Sequence, residues 1–323
     1  MISLRYHIVS LVAVFLALAL GIVVGSTVLQ EGTVSALRAT SQEVRQRSEE
    51  NRTENLALKQ EIARLQSFGA AVLPELLQGR LRGRSVVLVD TDKVDGGLRD
   101  TVRKALEDAG AEVEGQITFA DSRLALGATA DRTAVGQLLA VDAGAPDVLR
   151  DELVKRVASR LVTPSAIPQQ GGQRASDVLT GLQDAKFLAD LKLSKPITAG
   201  TDPFPRQGTS FVLLGPSPTG ATTAVVPDAF LVPLADQVSS RATGGAVAGV
   251  EAAAVPSSNS WVIALRNNRP VSRRVSGVDS VDTVYGQLSL VQALQTSLQQ
   301  GPAGQYGIKD GAAALFPEQT EGS

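Results

Sequence analysis

Ser85-Val86-Val87-Leu88-Val89-Asp90 is a short, unbroken apolar run closed by an acid, the pattern of a strand buried on both faces. Residues 97–109 follow with helical periodicity through Leu98, Val102, Ala105, Leu106 and Ala109, and Gly110 stops them. Residues 112–119 then resume as a strand. Strand, helix and strand in that order form a β-α-β unit, which requires a parallel pair and a right-handed crossover. Further along, helical patterns occupy 132–143, 147–161 and 175–191, with a Pro- and Gly-containing loop at 164–173. Ser210-Phe211-Val212-Leu213-Leu214 and residues 245–254 read as strands around a helix at 228–241. A short helix at 261–267, a last strand at 274–278 and a closing helix at 282–299 complete the pattern. The expected fold class is α/β, with one doubly wound, mostly parallel, Rossmann-like sheet domain of about five strands over residues 80–300. Residues 301–323, rich in Gly, Ala and polar side chains, are expected to form a flexible C-terminal tail.

Upstream, no charge interrupts the chain from Ile8 to Leu29. As a helix rising ~1.5 Å per residue this stretch reaches roughly 30 Å, the thickness of a bilayer's hydrocarbon core. A cleaved signal would carry an apolar region of about 7–15 residues and an Ala-x-Ala site, and neither fits, so the reading is a retained transmembrane helix. Arg5 precedes the run and Glu31 is the first charge after it. The positive-inside rule therefore places residues 1–7 in the cytoplasm and the bulk of the chain outside the cell membrane. Ala13, Ala17, Gly21 and Gly25 recur every four residues, and small residues at that spacing let two membrane helices pack closely.

Residues 30–73 read as a coiled-coil stalk that continues this helix. Its core positions are Val34, Leu37, Ser41, Val44, Ser48, Asn51, Asn55, Leu58, Ile62 and Leu65, and Gly69 and Pro74 bracket the far end. The central heptads are poorly suited to self-pairing. Ser48, Asn51 and Asn55 stand where apolar residues belong, and in a parallel homodimer Arg47 would face Arg52. A homodimer is the favoured state, and two readings of the stalk stay open: a weak, partly splayed spacer between domain and membrane, or a helix whose face of Arg45, Arg47, Ser48, Asn51, Arg52 and Asn55 awaits an acidic helical partner.

Composition narrows the chemistry. A net charge of −2 gives no footprint for nucleic acid. With no Cys, one His and one Met, the chain has no disulfides, no thiolate chemistry and no soft-ligand relay, and His7 and Met1 both fall ahead of the apolar run. No cofactor is expected. No Gly-x-Gly-x-x-Gly loop follows the first strand, so a nucleotide cradle is not indicated. Asp90-Thr91-Asp92-Lys93-Val94 resembles the first motif of haloacid-dehalogenase-type phosphatases, with Asp90 as nucleophile, Asp92 as acid/base and Asp279 as a degenerate magnesium ligand. The Ser/Thr and Lys partners of that chemistry are missing, and the same acids serve equally to cap the following helix. The expected answer is that the chain is not an enzyme.

The opening Met1-Ile2-Ser3-Leu4-Arg5-Tyr6-His7-Ile8-Val9-Ser10-Leu11, the continuation to Gly25-Ser26, the strand 86–90 and Val278-Asp279-Ser280-Val281-Asp282-Thr283 resemble the actinobacterial MctB family, named for mycobacterial copper transport protein B. The resemblance covers essentially the whole chain. It implies a cell-envelope protein associated with copper tolerance and described as an outer-membrane channel. Relatives called SteB look like division-associated activators of a peptidoglycan hydrolase that work with a partner called SteA. The residues themselves favour a scaffold that binds envelope partners through its coiled coil over a copper channel. A membrane barrel needs many alternating strands, and copper needs thiolate, thioether or imidazole ligands. Copper enters this reading through the resemblance alone.

Overall fold

The computed structural model describes residues 4–142, 144–163, 177–194, 204–216 and 227–317, the side chains of 4–5, 26–39 and 227–228 excepted. It divides into two compact units, Met1–Ser67 and Phe68–Ser323.

The first unit is helical throughout its described length, as part of α1 (Leu4–Leu77). Its stretch Tyr6–Gly25 is long and apolar enough to cross a membrane, and it is the one such segment among the described residues. Leu11, Phe15 and Ile22 are all more than half exposed, an arrangement that water penalises and lipid does not. The sequence reading ended the helix between Gly69 and Pro74, but α1 continues to Leu77 with Pro74 inside it. Leu73 and Leu77 explain the extension. Both are buried in the core of the second unit, and that burial outweighs one missing backbone donor near a helix end.

In chain order the second unit contains β1 (Ser85–Thr91), α2 (Gly96–Asp108), β2 (Glu112–Phe119), the short α3 (Asp121–Leu124), α4 (Thr129–Leu139), α5 (Pro146–Val162), α6 (Val178–Asp184) and β3 (Leu188–Leu193). It continues with β4 (Ser210–Leu214), α7 (Val232–Arg241), β5 (Val247–Val250), α8 (Trp261–Asn267), α9 (Arg269–Ser272), β6 (Ser276–Val278), α10 (Val284–Leu298) and β7 (Gln305–Tyr306). The strands form one sheet in the order β3-β2-β1-β4-β5-β6-β7. Neighbours pair in parallel except β2 and β3, which are antiparallel.

Alternate residues of β1 enter two different cores, as the period of a strand dictates. Val87 and Val89 pack with Ile117, Phe119 and the buried faces of α5 and α7. Val86 and Leu88 pack with Val212, Leu214 and the buried faces of α2 and α10. Burial on both sides is the reason the segment reads as a continuous apolar run.

Two strands escaped the sequence reading, so among the described residues the sheet has seven strands rather than about five. The pattern at 175–191 looked helical throughout, but the helix stops at Asp184 and β3 begins at Leu188. Leu179 and Leu182, and again Leu188 and Leu191, stand three apart as helix neighbours do, while the residues of β3 (Leu-Ala-Asp-Leu-Lys-Leu) are weak strand formers. Pairing with β2 overrides their propensity, after Lys186 turns the chain at φ 62. The segment after Gly301, expected to fray, instead supplies β7, with Gly277 N–H donating to Gly304 at 3.0 Å and Asp279 N–H to Tyr306 at 3.1 Å. The loop at 164–173 and the end of the tail, 318–323, lie outside the described residues.

Candidate functional site

Parallel strands end at one edge of a sheet, so the turns after β1, β2, β5 and β6 gather along it. An acid stands at each of these places: Asp90, Asp121, Glu251 and Asp279, all buried. Buried carboxylates need counter-charges or donors. Asp279 and Glu251 receive theirs largely from the distant segment 305–309 and Asp90 from Arg99, while Asp121 Oδ1 has no hydrogen-bond partner among the described residues.

Asp279, at the end of β6, accepts from the backbone N–H groups of Ile308 at 2.9 Å and Lys309 at 3.1 Å, and from the Ser280 hydroxyl at 2.8 Å. Arg266 Nη2 lies 3.0 Å from its carboxylate. Burial pushes this carboxyl upward, but the two backbone donors, the hydroxyl and Arg266 together outweigh it and hold Asp279 below its ordinary value. Glu251, just past β5, receives Lys309 Nζ at 2.6 Å, the Ser260 hydroxyl and the Val262 N–H at 3.4 Å. Lys309 also donates to the Ala252 carbonyl at 3.0 Å, and Arg266 to the Tyr306 carbonyl at 2.7 Å. The segment 305–309 is thus strapped across the ends of β5 and β6. Gly307 permits the crossing. It sits at φ 130, and a Cβ there would strike the Asp279 carboxylate.

At the other end of the row, Asp90 has no exposed side-chain surface and pairs with Arg99 Nε at 2.5 Å. Its Oδ1 has no hydrogen-bond partner among the described residues. Burial raises its pKa above the ordinary carboxylate value, against Arg99 and Thr118, which lower it, and with a small upward push from Asp190. Asp121 is raised as well, chiefly by burial, with Asp92 adding to the rise and Lys93 opposing it. Asp92 is exposed and uses Oδ1 to accept the Asp121 N–H at 3.1 Å.

The structure therefore keeps Asp90 and Asp92 at one strand end and sets Asp279 apart, with β4 and β5 between them. Three strand spacings of roughly 4.8 Å make that separation about 14 Å. Among the described residues, no group of three or more His, Asp or Glu side chains is placed to hold a metal.

On α1, Arg45, Arg47, Ser48, Asn51, Arg52 and Asn55 are all exposed. Arg47 reaches back to Glu43 at 2.7 Å, which offsets its charge within the same helix. The Asn55 amide donates to the Asn51 carbonyl at 2.8 Å. Val44, Leu58, Ile62 and Leu65 are each more than half exposed along the same helix. In the apolar stretch Ile8, Ala13, Ala17 and Gly21 face outward and Gly25 is partly covered. Open space surrounds the position a Cβ would take at Gly21 and Gly25. The side chain of Leu29 lies outside the described set.

Sequence reasoning missed Arg99, Glu251, Arg266 and Lys309. The sequence reading ran this strand over 245–254 and so enclosed Glu251; an acid breaking the apolar stretch 246–250 was the usable signal. Nothing local marked Lys309, whose role depends on where the chain returns.

The whole-chain likeness to known proteins agrees with the resemblance read from the amino terminus. Residues 1–317 match the family model described as copper transport outer membrane protein, MctB. Curated relatives named copper transporter MctB, from Mycobacterium leprae and Mycobacterium bovis, are 28% and 26% identical over 99% of this chain and 100% of their own length. A match of that extent settles the family: this chain belongs to the MctB family of copper transport membrane proteins.

Proposed function

We propose that this chain serves copper transport as a single-span envelope protein that engages a protein partner, and that it neither forms the copper passage nor catalyses a reaction. The observation that carries this reading is the internal neutralisation of the sheet's carboxyl edge. Asp90, Glu251 and Asp279 are each paired with Arg99, Lys309 or Arg266 of the same chain. The place where an open α/β sheet usually holds a ligand is therefore filled by the chain's own cations. The strand order β3-β2-β1-β4-β5-β6-β7 supports reading the domain as doubly wound, with its switch point between β1 and β4. The donor set points the same way, because copper favours sulfur and imidazole, and the whole sequence offers one Met, one His and no Cys.

Partner binding falls to the exposed helix. In this reading α1 pairs with a second copy through its apolar positions and the Ala13/Gly21 stripe. The face around Arg45, Arg47, Arg52 and the polar core positions docks an acidic helical segment of an envelope or division protein, such as a SteA-like protein or a peptidoglycan hydrolase. The names of the relatives favour a second reading, in which the chain itself moves copper across the envelope.

One experiment separates the two. Cells lacking the chain are complemented with the parent or with the triple variant Ser48→Leu, Asn51→Leu, Asn55→Leu, and copper accumulation is measured. Purified parent is also reconstituted in vesicles and tested for copper flux. A tighter homodimer should exclude the partner, so the variant should self-associate more strongly yet fail to restore copper handling, while the reconstituted parent passes no copper. Copper flux through the purified chain alone would overturn the partner reading, and full complementation by the triple variant would remove the helix from it.

A further inference from the structure

We propose that the groove between α2 and β3 is a binding site for a phosphate dianion, carried by a small phosphomonoester or a phospholipid headgroup. The groove has a volume of about 480 Å³, within the ~300–1,000 Å³ range of small-ligand sites. Arg99 and Arg103 line one wall and Lys192 the other. The geometry begins with α2, which buries Leu98, Val102, Ala105 and Leu106 against the sheet. Arg99 and Arg103 lie one helical turn apart, so both reach the same side. Like charges at that spacing repel, and an anion between them removes the repulsion.

Both guanidinium groups are held from beneath. Arg103 Nη2 donates at 2.5 Å to Gln116, a residue only 3% exposed on β2. Gln116 in turn donates to the Thr118 hydroxyl at 3.2 Å. Arg99 donates through Nε to buried Asp90 at 2.5 Å and through Nη2 to the Val94 carbonyl at 3.4 Å, which leaves Nη1 and the second Nη2 hydrogen. Each acceptor occupies one edge of a planar fork and fixes its direction, leaving further N–H groups for a ligand. Opposite them, Lys192 stands in register with Gln116 across the β2–β3 pair. Its ammonium rests 2.9 Å from half-buried Asp190, a weak pair near the surface from which an anion can recruit it. Asp100 also lines the groove, but it is solvent-exposed. Two preorganised arginines and a mobile lysine match the oxygens of a tetrahedral dianion better than those of a planar carboxylate.

The test uses the full chain in phosphatidylcholine nanodiscs, titrated calorimetrically with inorganic phosphate, glycerol 3-phosphate and, for contrast, acetate. Saturable binding of both phosphates is expected. Arg103→Gln and Lys192→Gln should each weaken it about tenfold, the loss of one charge-assisted bond, while Arg82→Gln, an exposed arginine outside the groove, changes nothing. Unaltered Trp261 emission checks that each variant is folded. Repeating the glycerol 3-phosphate titration in discs containing phosphatidic acid identifies the source. Loss of apparent affinity there assigns a lipid headgroup and unchanged affinity a soluble ester, and both keep the phosphate site. No saturable binding by the parent, equal weakening by Arg82→Gln, or acetate binding as tightly as phosphate would each overturn the proposal.

Discussion

Replacing Lys309 with Met removes the ammonium that neutralises Glu251 while keeping most of the side chain's apolar length. Lys309 and Glu251 are 6% and 0% exposed at their side chains, so solvent cannot take over the lost role. Removing one partner of a buried ion pair costs about 3–5 kcal/mol, because the remaining charge is left uncompensated. The Ser260 hydroxyl and the Val262 N–H still reach Glu251 and keep the cost toward the lower end of that range. With a urea slope of about 3 kcal/mol per molar, the unfolding midpoint should fall by roughly 1 M or slightly more. The chain carries its own reporter, since Trp261 is the single tryptophan, is fully buried, and donates to the Val250 carbonyl next to Glu251 at 3.0 Å. Its fluorescence in full-length protein held in detergent follows unfolding of the second unit directly. A companion variant, Lys309→Met with Glu251→Gln, removes both charges and should regain more than half of the loss, because a neutral amide tolerates burial beside Ser260. A midpoint shift under about 0.3 M for the single variant would refute the reasoning, since that corresponds to less than about 1 kcal/mol. A double variant as unstable as the single one would show that packing rather than charge holds the strap.

Acid should act on the strap through Asp279, whose carboxyl is held below its ordinary value in the folded chain. A group depressed on folding stabilises above its unfolded pKa, near ~3.9, and loses that contribution as pH falls toward its folded value. Asp279→Asn should therefore destabilise by about 3–5 kcal/mol at neutral pH, with the gap to the parent narrowing below about pH 4 in urea titrations; a gap that does not change with pH would contradict this. Asp90, raised by burial, has the opposite sign. Its contribution should fall as pH climbs above 3.8 through its folded value, so the parent should gain on Asp90→Asn as pH is lowered through that window. Gly307→Ala places a Cβ against the Asp279 carboxylate at φ 130 and should release the strap, seen as faster amide exchange at Ile308 and Lys309; parent-like protection would remove Gly307 from the argument.

Elements whose signal is local were legible from the residues alone. The uncharged run from Ile8 to Leu29 carries its own length and polarity argument, and the alternation of 85–90, 97–109 and 112–119 needs only neighbouring residues to read as β-α-β. Burial of β1 on both faces was equally legible, because both sets of alternate residues had to be apolar. The amino-terminal motif carried the family. The tertiary structure decided what depends on distant partners. β3 is a strand because β2 lies beside it, although its own residues favour a helix as much. The tail after Gly301 becomes β7 because β6 offers an open edge and Asp279 offers a carboxylate to two successive N–H groups. Asp90 and Asp279 looked like candidate reactive acids in the sequence and Glu251 drew no notice, because the counter-ions of Asp90, Glu251 and Asp279 are 9, 58 and 13 residues away and carry no mark of that role. A buried charge is defined by what the fold brings to it, and only the folded chain shows that each of these three already has its cation.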